Sequence, residues 1–178
     1  TRDSEGRRVM EGWIRMPKPA EEGWIGMFCL PRIVERKGNH IYFRMHPNVR
    51  AAYSKEITDI SCASEDGYMA VFELEDGEQA DIGGFLIKRK GNRIQTDRTA
   101  VYPSFEGAHL LSETPELTDG CRIEVLADKN LIEVYINDGE YVISNAVYGI
   151  GDFIKVNIEK TVHLYTLKEH DERTRGEE

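Results

Sequence analysis

Asp128-Lys-Asn-Leu-Ile-Glu-Val-Tyr-Ile-Asn-Asp-Gly-Glu140 is the stretch that decides the fold. Its side chains alternate, as on a strand. Leu131, Glu133, Tyr135 and Asn137 point one way, and Ile132, Val134 and Ile136 the other. Asp138-Gly139 tolerates positive φ, which a two-residue hairpin turn of type I′ requires. Tyr141–Asn145 then returns as the partner strand. The expectation is a central hairpin with Asn137, Asp138 and Gly139 at its tip and the three aliphatic residues facing a core.

Short strands of this kind recur outward from that hairpin. Downstream lie Phe153–Asn157 and Val162–Leu167. Upstream lie Met69–Leu74, Ile82–Lys88, Arg93–Asp97, Ala100–Tyr102 and Cys121–Ala127. Turn residues separate them, as at Asp76-Gly77, Gly91-Asn92 and Asp119-Gly120. Many short strands, tight turns and no long helix predict an all-β protein built as an antiparallel sandwich or barrel, and about 110 residues suit a single sandwich core. Four further strands precede it: Val9–Met16, Trp24–Leu30, Ile33–Arg36 and Ile41–Met45. Pro47–Lys55 reads as a short helical linker that Asn48 could cap. The domain boundaries are therefore 1–47 for the leading strands, 48–56 for the linker, 57–168 for the sandwich, and 169–178 for a polar, disordered tail.

The wording of several segments resembles glycoside hydrolase family 32, the invertases and fructosidases. Ile132–Glu140 is similar to that family's "IEVFVNDGE". Asp3–Trp13 resembles "D..GRR...GW", and Trp24–Arg32 resembles "W.G...LPREL", with Ile33-Val34 where Glu-Leu is usual. Gly38–Pro47 resembles "G.LYQRPV", with Met-His replacing its central residues. Asn92–Thr99 is similar to the "I.TDRT" strand. The matches fall in family order and span most of the chain. The resemblance implies a concanavalin/lectin-like β-sandwich preceded by strands of an incomplete blade of a five-bladed β-propeller. It implies a parent enzyme that cleaves sucrose, sucrose phosphate or a fructan with retention, through a covalent fructosyl intermediate. The parent's chemistry would sit on acidic residues in "NDPNG", "EC" and "RDP" motifs, and none of the three occurs here. The missing propeller domain is then the expected partner, and no residue of this chain is expected to be catalytic.

The residues present agree with that expectation. A retaining glycosidase needs two carboxylates about 5 Å apart. Glu133 lies mid-strand and Asp138 in a turn, so the pair reads as turn and surface. Asp97 and Arg98 read as structural groups at a strand end. The five His are scattered and none has metal-ligand spacing. No Gly-x-Ser-x-Gly nucleophile elbow occurs. No cofactor is implied. Trp13, Trp24, Tyr42, Phe43, Tyr68, Tyr102 and Tyr148 are aromatics with which a sugar ring could stack, Trp13, Trp24 and Tyr42 foremost, although burial is the commoner fate of strand aromatics. A stand-alone carbohydrate-binding module is the alternative reading. Exposed blade strands would also favour a homodimer, or folding of those strands onto the sandwich itself.

Composition narrows the remaining classes. Hydrophobic residues make up 40% and charged residues 31%, the balance of a soluble globular chain. A net charge of −9 argues against nucleic acid, because no basic stripe can replace phosphate counterions. Lys88-Arg89-Lys90 reads as a solvated hairpin end. No apolar run is long enough to span a membrane. Three widely spaced Cys form neither a disulfide framework nor a metal motif, which fits a cytoplasmic setting.

Overall fold

The computed structural model describes residues 1–21, 23–63, 67–156 and 161–168. The leading segment contains β1 (Val9–Met10), β2 (Trp13–Arg15), β3 (Gly26–Phe28), β4 (Arg32–Lys37), β5 (His40–Met45) and a helix, α1 (Pro47–Ala52). After it come β6 (Lys55–Ile57), β7 (Tyr68–Glu73), β8 (Gln79–Ile82), β9 (Phe85–Lys90), β10 (Arg93–Asp97) and β11 (Leu111–Glu113). The chain closes with β12 (Arg122–Ala127), β13 (Leu131–Ile136), β14 (Tyr141–Ala146), β15 (Ile154–Val156) and β16 (His163–Thr166). The assignment of residues 169–178 to a disordered tail, and the end of the predicted strand at Asn157, lie outside the described residues.

Two antiparallel sheets face each other. One has six strands in the order β14-β13-β12-β7-β16-β6, the other five in the order β11-β10-β9-β8-β15. Alternation along each strand fills the space between them. Ala70 and Phe72, Ile123 and Val125, and Ile132, Val134 and Ile136 come from the first sheet. Ile82, Phe85, Ile87 and Ile94 come from the second. All of these are buried, and each aliphatic side chain contributes about 1.5–3 kcal/mol by leaving water. The protein is thus an all-β antiparallel sandwich, with Ile132, Val134 and Ile136 on the core face.

The leading segment forms a third layer. A three-stranded sheet, β1-β4-β5, and a hairpin, β2-β3, lie against the outer face of the six-stranded sheet. Val9–Met16 is not one strand. It divides at Glu11-Gly12, so that β1 pairs with β4 and β2 with β3. Gly12 lies close against Cys29: a Cβ there would sit 3.2 Å from Cys29 Sγ, and Cys29 N–H donates to Gly12 O at 2.7 Å. Met45, Tyr53, Met69, Leu126 and Tyr135 make a second core between this layer and the sheet. Every residue of β13 is consequently buried, one face in each core.

Three local expectations are corrected. The cap of α1 is His46, whose Nδ1 accepts from the Asn48 N–H at 3.2 Å. Pro47 takes the first helical position, where its missing N–H costs nothing, and this moves the cap one residue earlier than Asn48. Ile82–Lys88 is broken by Gly83-Gly84 (φ +58° and +99°), which turn β8 into β9 as a hairpin. Ala100–Tyr102 is not a strand, because Thr99–Val101 forms a 3-10 turn in which Asp97 Oδ1 accepts from the Thr99 N–H at 2.8 Å.

Candidate functional site

The junction between the leading segment and the sandwich carries the densest polar chemistry in the described chain. Glu133 projects from β13 toward the leading layer and is fully buried. Arg32, the first residue of β4, reaches it from above and is 7% exposed. The Arg32 guanidinium donates to Glu133 Oε1 at 2.5 Å and to Ser144 Oγ. Ser144 donates to the same Oε1 at 2.9 Å, and the Tyr135 hydroxyl donates to Oε2 at 2.7 Å. Arg32 Nε in turn donates to the Tyr135 oxygen at 3.4 Å. Burial, reinforced by the Glu133 charge, pushes the Tyr135 phenol up, so it stays a donor. Burial pulls the Arg32 guanidinium down, but Glu133 and Tyr135 more than restore it.

A second carboxylate repeats the arrangement one strand over. Glu124, on β12, is 1% exposed. Arg50 of α1 grips both of its oxygens, with NH2 to Oε2 at 2.7 Å. Arg122 reaches Oε1 at 2.8 Å. Burial pushes this carboxyl up, yet the hydrogen bonds from Arg50 and Arg122 outweigh it and hold it below the usual carboxylate range. Both partnerships link the leading segment to the sheet. A buried ion pair is tolerated when, as here, further hydrogen bonds satisfy the remaining lone pairs.

The surface reading of Glu133 is therefore corrected: it is a buried anchor. Asp138 is exposed and pairs with Arg44 and, at 3.7 Å, with Arg50. All the oxygens of Glu133 are engaged by protein donors, so the two acids do not form a reacting pair. Cys29 lies beside this cluster. Burial, then the Glu133 charge, raises its thiol pKa, which suppresses the nucleophilic thiolate.

The hairpin tip docks on the leading layer. Asn137, Asp138 and Gly139 all have positive φ, at 49°, 58° and 90°. The predicted two-residue turn is corrected: Ile136 pairs with Tyr141, so residues 137–140 form a four-residue loop, with Gly139 N–H donating to Ile136 O at 3.0 Å. Asn137 fixes this loop. Its Oδ1 accepts from Arg122 N–H, and its Nδ2 donates to Asp119 O and Glu140 Oε2. Gly139 is needed for close approach, because a Cβ would lie 2.4 Å from Phe43 O. Its own carbonyl accepts from Phe43 N–H at 2.8 Å.

The three foremost sugar-stacking candidates separate into two places. Trp13 on β2 is opposite Phe28 on β3, and both are well exposed, at 59% and 69%. Trp13 lies across Gly26, where a Cβ would be 2.4 Å from its ring. Trp24 and Ile25, just before β3, are also exposed. The opposite face of the hairpin, Ile14 and Met27, packs with Ala146 and Tyr148. Tyr42 is half-buried on β5, in the other small sheet. Its ring meets His40 edge-on at 5.0 Å, and the Arg44 guanidinium stands 5.1 Å from its centre. Asp97 Oδ1 accepts from the Thr99 N–H and hydroxyl just after β10, and Arg98 donates to the carbonyls of His109 and Ala146. No group of three His, Cys, Asp or Glu side chains among the described residues could hold a metal.

Sequence reading missed Arg32, Arg50, Glu124 and the burial of Glu133. A signal was present for Glu133: it interrupts a strand whose other positions are aliphatic or aromatic, which is where a buried acid needs a partner.

Comparisons with known proteins bear on this architecture. A family model described as "Glycosyl hydrolases family 32 C terminal" matches residues 48–170. The chain is 23% identical over 185 residues to a sucrose-6-phosphate hydrolase of Vibrio alginolyticus, covering 93% of this chain and 37% of that protein. Among solved structures, a sucrose-6-phosphate hydrolase from Lactobacillus gasseri superposes with a TM-score of 0.75 at 16% identity. It covers 93% of this chain and 39% of its own. A Bombyx mori β-fructofuranosidase superposes with a TM-score of 0.70 at 13% identity and the same coverage. The chain thus spans well under half the length of these relatives, and it belongs to glycoside hydrolase family 32 as that family's C-terminal region.

Proposed function

We propose that this chain is the non-catalytic C-terminal portion of a longer β-fructofuranosidase-type glycosidase. The parent would hydrolyse sucrose, sucrose phosphate or a fructan. The observation that carries the reading is the extent of the match: 93% of this chain corresponds to only 37% of a sucrose-6-phosphate hydrolase. The sandwich supports the parent by holding the leading strands in place. Arg32–Glu133 and Arg50–Glu124 lock those strands, and the exposed Trp13–Phe28 face of the β2–β3 hairpin is where the propeller packs. The three free thiols fit a cytoplasmic setting. The test is to extend the reading frame upstream and assay the longer protein. Three acidic motifs and fructose release from sucrose or its phosphate support the reading; a longer frame with neither refutes it.

A second reading is favoured by the exposure of Trp13 and Trp24, namely a carbohydrate-binding or dimerisation module that works alone. Trp13, Trp24 and Tyr42 would be its contacts. Since Tyr42 lies on a different sheet from the two Trp residues, three-point stacking on one sugar is the weaker version of this reading.

A further inference from the structure

Four Asp-Gly pairs occur in the chain, at 66–67, 76–77, 119–120 and 138–139. Asp-Gly is the pair at which a main chain can rearrange, because glycine has no side chain to keep its nitrogen away from the aspartate carboxyl. Asp66 lies outside the described residues, and the fold treats the other three pairs differently. Gly77 N–H donates to Arg89 O at 3.1 Å, and Asp76 Oδ1 accepts from Gly91 N–H at 2.6 Å. Gly139 N–H donates to Ile136 O at 3.0 Å, and the Asp138 carboxylate pairs with Arg44 and Arg50. In both pairs the nitrogen that would attack and the carboxyl it would attack are already engaged. At 119–120 neither is: among the described residues, the Gly120 N–H and the Asp119 carboxylate have no hydrogen-bond or ion-pair partner. Thr118, Asp119 and Gly120 are all exposed, and a Cβ on Gly120 would meet nothing within 4 Å.

We propose that Asp119-Gly120 is a site of spontaneous covalent modification, at which the chain converts aspartate to isoaspartate through a succinimide. The Gly120 nitrogen attacks Cγ of the protonated Asp119 carboxyl. The N–Cγ bond forms, the Cγ–OH bond breaks, and the hydroxyl leaves with the amide proton as water. Water then opens the ring. Addition at Cγ restores aspartate. Addition at the former main-chain carbonyl carbon breaks its bond to the Gly120 nitrogen and leaves isoaspartate, with the main chain running through Cβ. One water leaves and one returns, so no other reactant is needed. Asn137 assists: its Nδ2 donates to Asp119 O at 2.7 Å, which draws electron density from the amide and makes the Gly120 N–H easier to deprotonate. The product alters the fold locally. The loop between Thr118 and Arg122 is braced on the β13–β14 tip by Thr118 N–H to Glu140 Oε1 at 2.7 Å and Arg122 N–H to Asn137 Oδ1 at 3.0 Å. An extra main-chain methylene between these two anchors puts them out of register.

The test is to age the folded chain at mildly acidic pH in water enriched in heavy oxygen, digest it, and separate the peptides by liquid chromatography with mass spectrometry. The peptide containing Asp119 should yield a second isomer that carries a heavy oxygen and is methylated by protein isoaspartyl methyltransferase. This isomer should accumulate at least about fivefold faster than those at Asp76 or Asp138, because each of those must first open a hydrogen bond. Denaturant should erase the ranking. Asp119→Glu should abolish the isomer without lowering the thermal midpoint of the fresh chain, because the Asp119 side chain is exposed and unengaged. Isomerisation of Asp76 or Asp138 as fast as that of Asp119 in the folded chain overturns the proposal, and so does the same ranking in the denatured chain. An Asp119 that stays unmodified in the folded chain overturns it as well.

Discussion

Arg32 and Glu133 are 101 residues apart in the chain and 2.5 Å apart in space, with side chains 9% and 0% exposed. The contact ties a strand of the leading segment to β13, which with the edge strand β14 forms a hairpin at one side of the six-stranded sheet and not at its centre as the sequence suggested. The leading segment is therefore not a loose appendage. It covers a sheet face whose acids depend on arginines that it supplies.

Arg32→Leu is expected to destabilise the chain by about 3–5 kcal/mol, because Glu133 would stay buried without its cation. Denaturant unfolding measures this. The double variant Arg32→Leu/Glu133→Leu should recover most of the loss, since two apolar side chains carry no desolvation penalty. A double variant as unstable as the single one would show that packing, not charge, holds the junction.

The dependence on the leading segment also bears on truncation. Deleting residues 1–47 removes Arg32 and bares Met69, Leu126 and Tyr135, whereas the core between the two sheets stays intact. The truncated chain should keep its β-sheet circular dichroism but unfold at lower denaturant. Complete loss of folded signal at ambient temperature would mean that the two cores form one cooperative unit.

Gly139→Ala should cost at least about 1 kcal/mol, because position 139 has positive φ and its Cβ would meet the Phe43 carbonyl. Asn137→Gly keeps the backbone conformation but loses the bonds to Arg122, Asp119 and Glu140, so it separates the turn's polar locking from its geometry. Thermal unfolding of both variants checks this. An unchanged midpoint in Gly139→Ala would mean that the hairpin tip does not press on β5.

Glu124 gives the chain a pH signature. Its carboxyl titrates lower in the folded chain than its ordinary value of 4.5, because Arg50 and Arg122 favour the charged form. A depressed folded pKa contributes stability that is present above 4.5 and lost as pH falls through the lower folded value. Denaturation midpoints should therefore fall below pH 4.5, and Glu124→Gln should flatten that fall. Equal acid sensitivity of the two proteins would contradict the assignment.

Legibility of the sequence followed the physics of each element. Alternation marked Ile132, Val134 and Ile136 as core, because one face of that strand is wholly apolar. The same alternation put Glu133 and Tyr135 on the other face, and there it stopped being informative. Whether that face meets water or a third layer depends on contacts a hundred residues away. The β8–β9 hairpin was overlooked although Gly83-Gly84 announces it, because the apolar residues on either side read as one run. β6 and β11 were missed for another reason: they are three-residue edge strands, held by their neighbours and not by their own pattern. Exposure of Trp13 and Phe28 was legible only through the resemblance, since strand aromatics usually lie buried.

The apolar face of the β2–β3 hairpin predicts self-association of the isolated chain. Sedimentation velocity should show a concentration-dependent dimer, and Trp13→Ser/Phe28→Ser should shift the balance to monomer without lowering the thermal midpoint, because both side chains are exposed. A monomer at all concentrations would mean that this face is soluble without a cover.

The most direct test of the central claim is fructose release from sucrose and sucrose 6-phosphate by the isolated chain. The account predicts none, because Glu133 and Glu124 are buried and held by arginines and Asp138 is paired with Arg44. Steady fructose release that disappears when one of this chain's own carboxylates is replaced by its amide would contradict it.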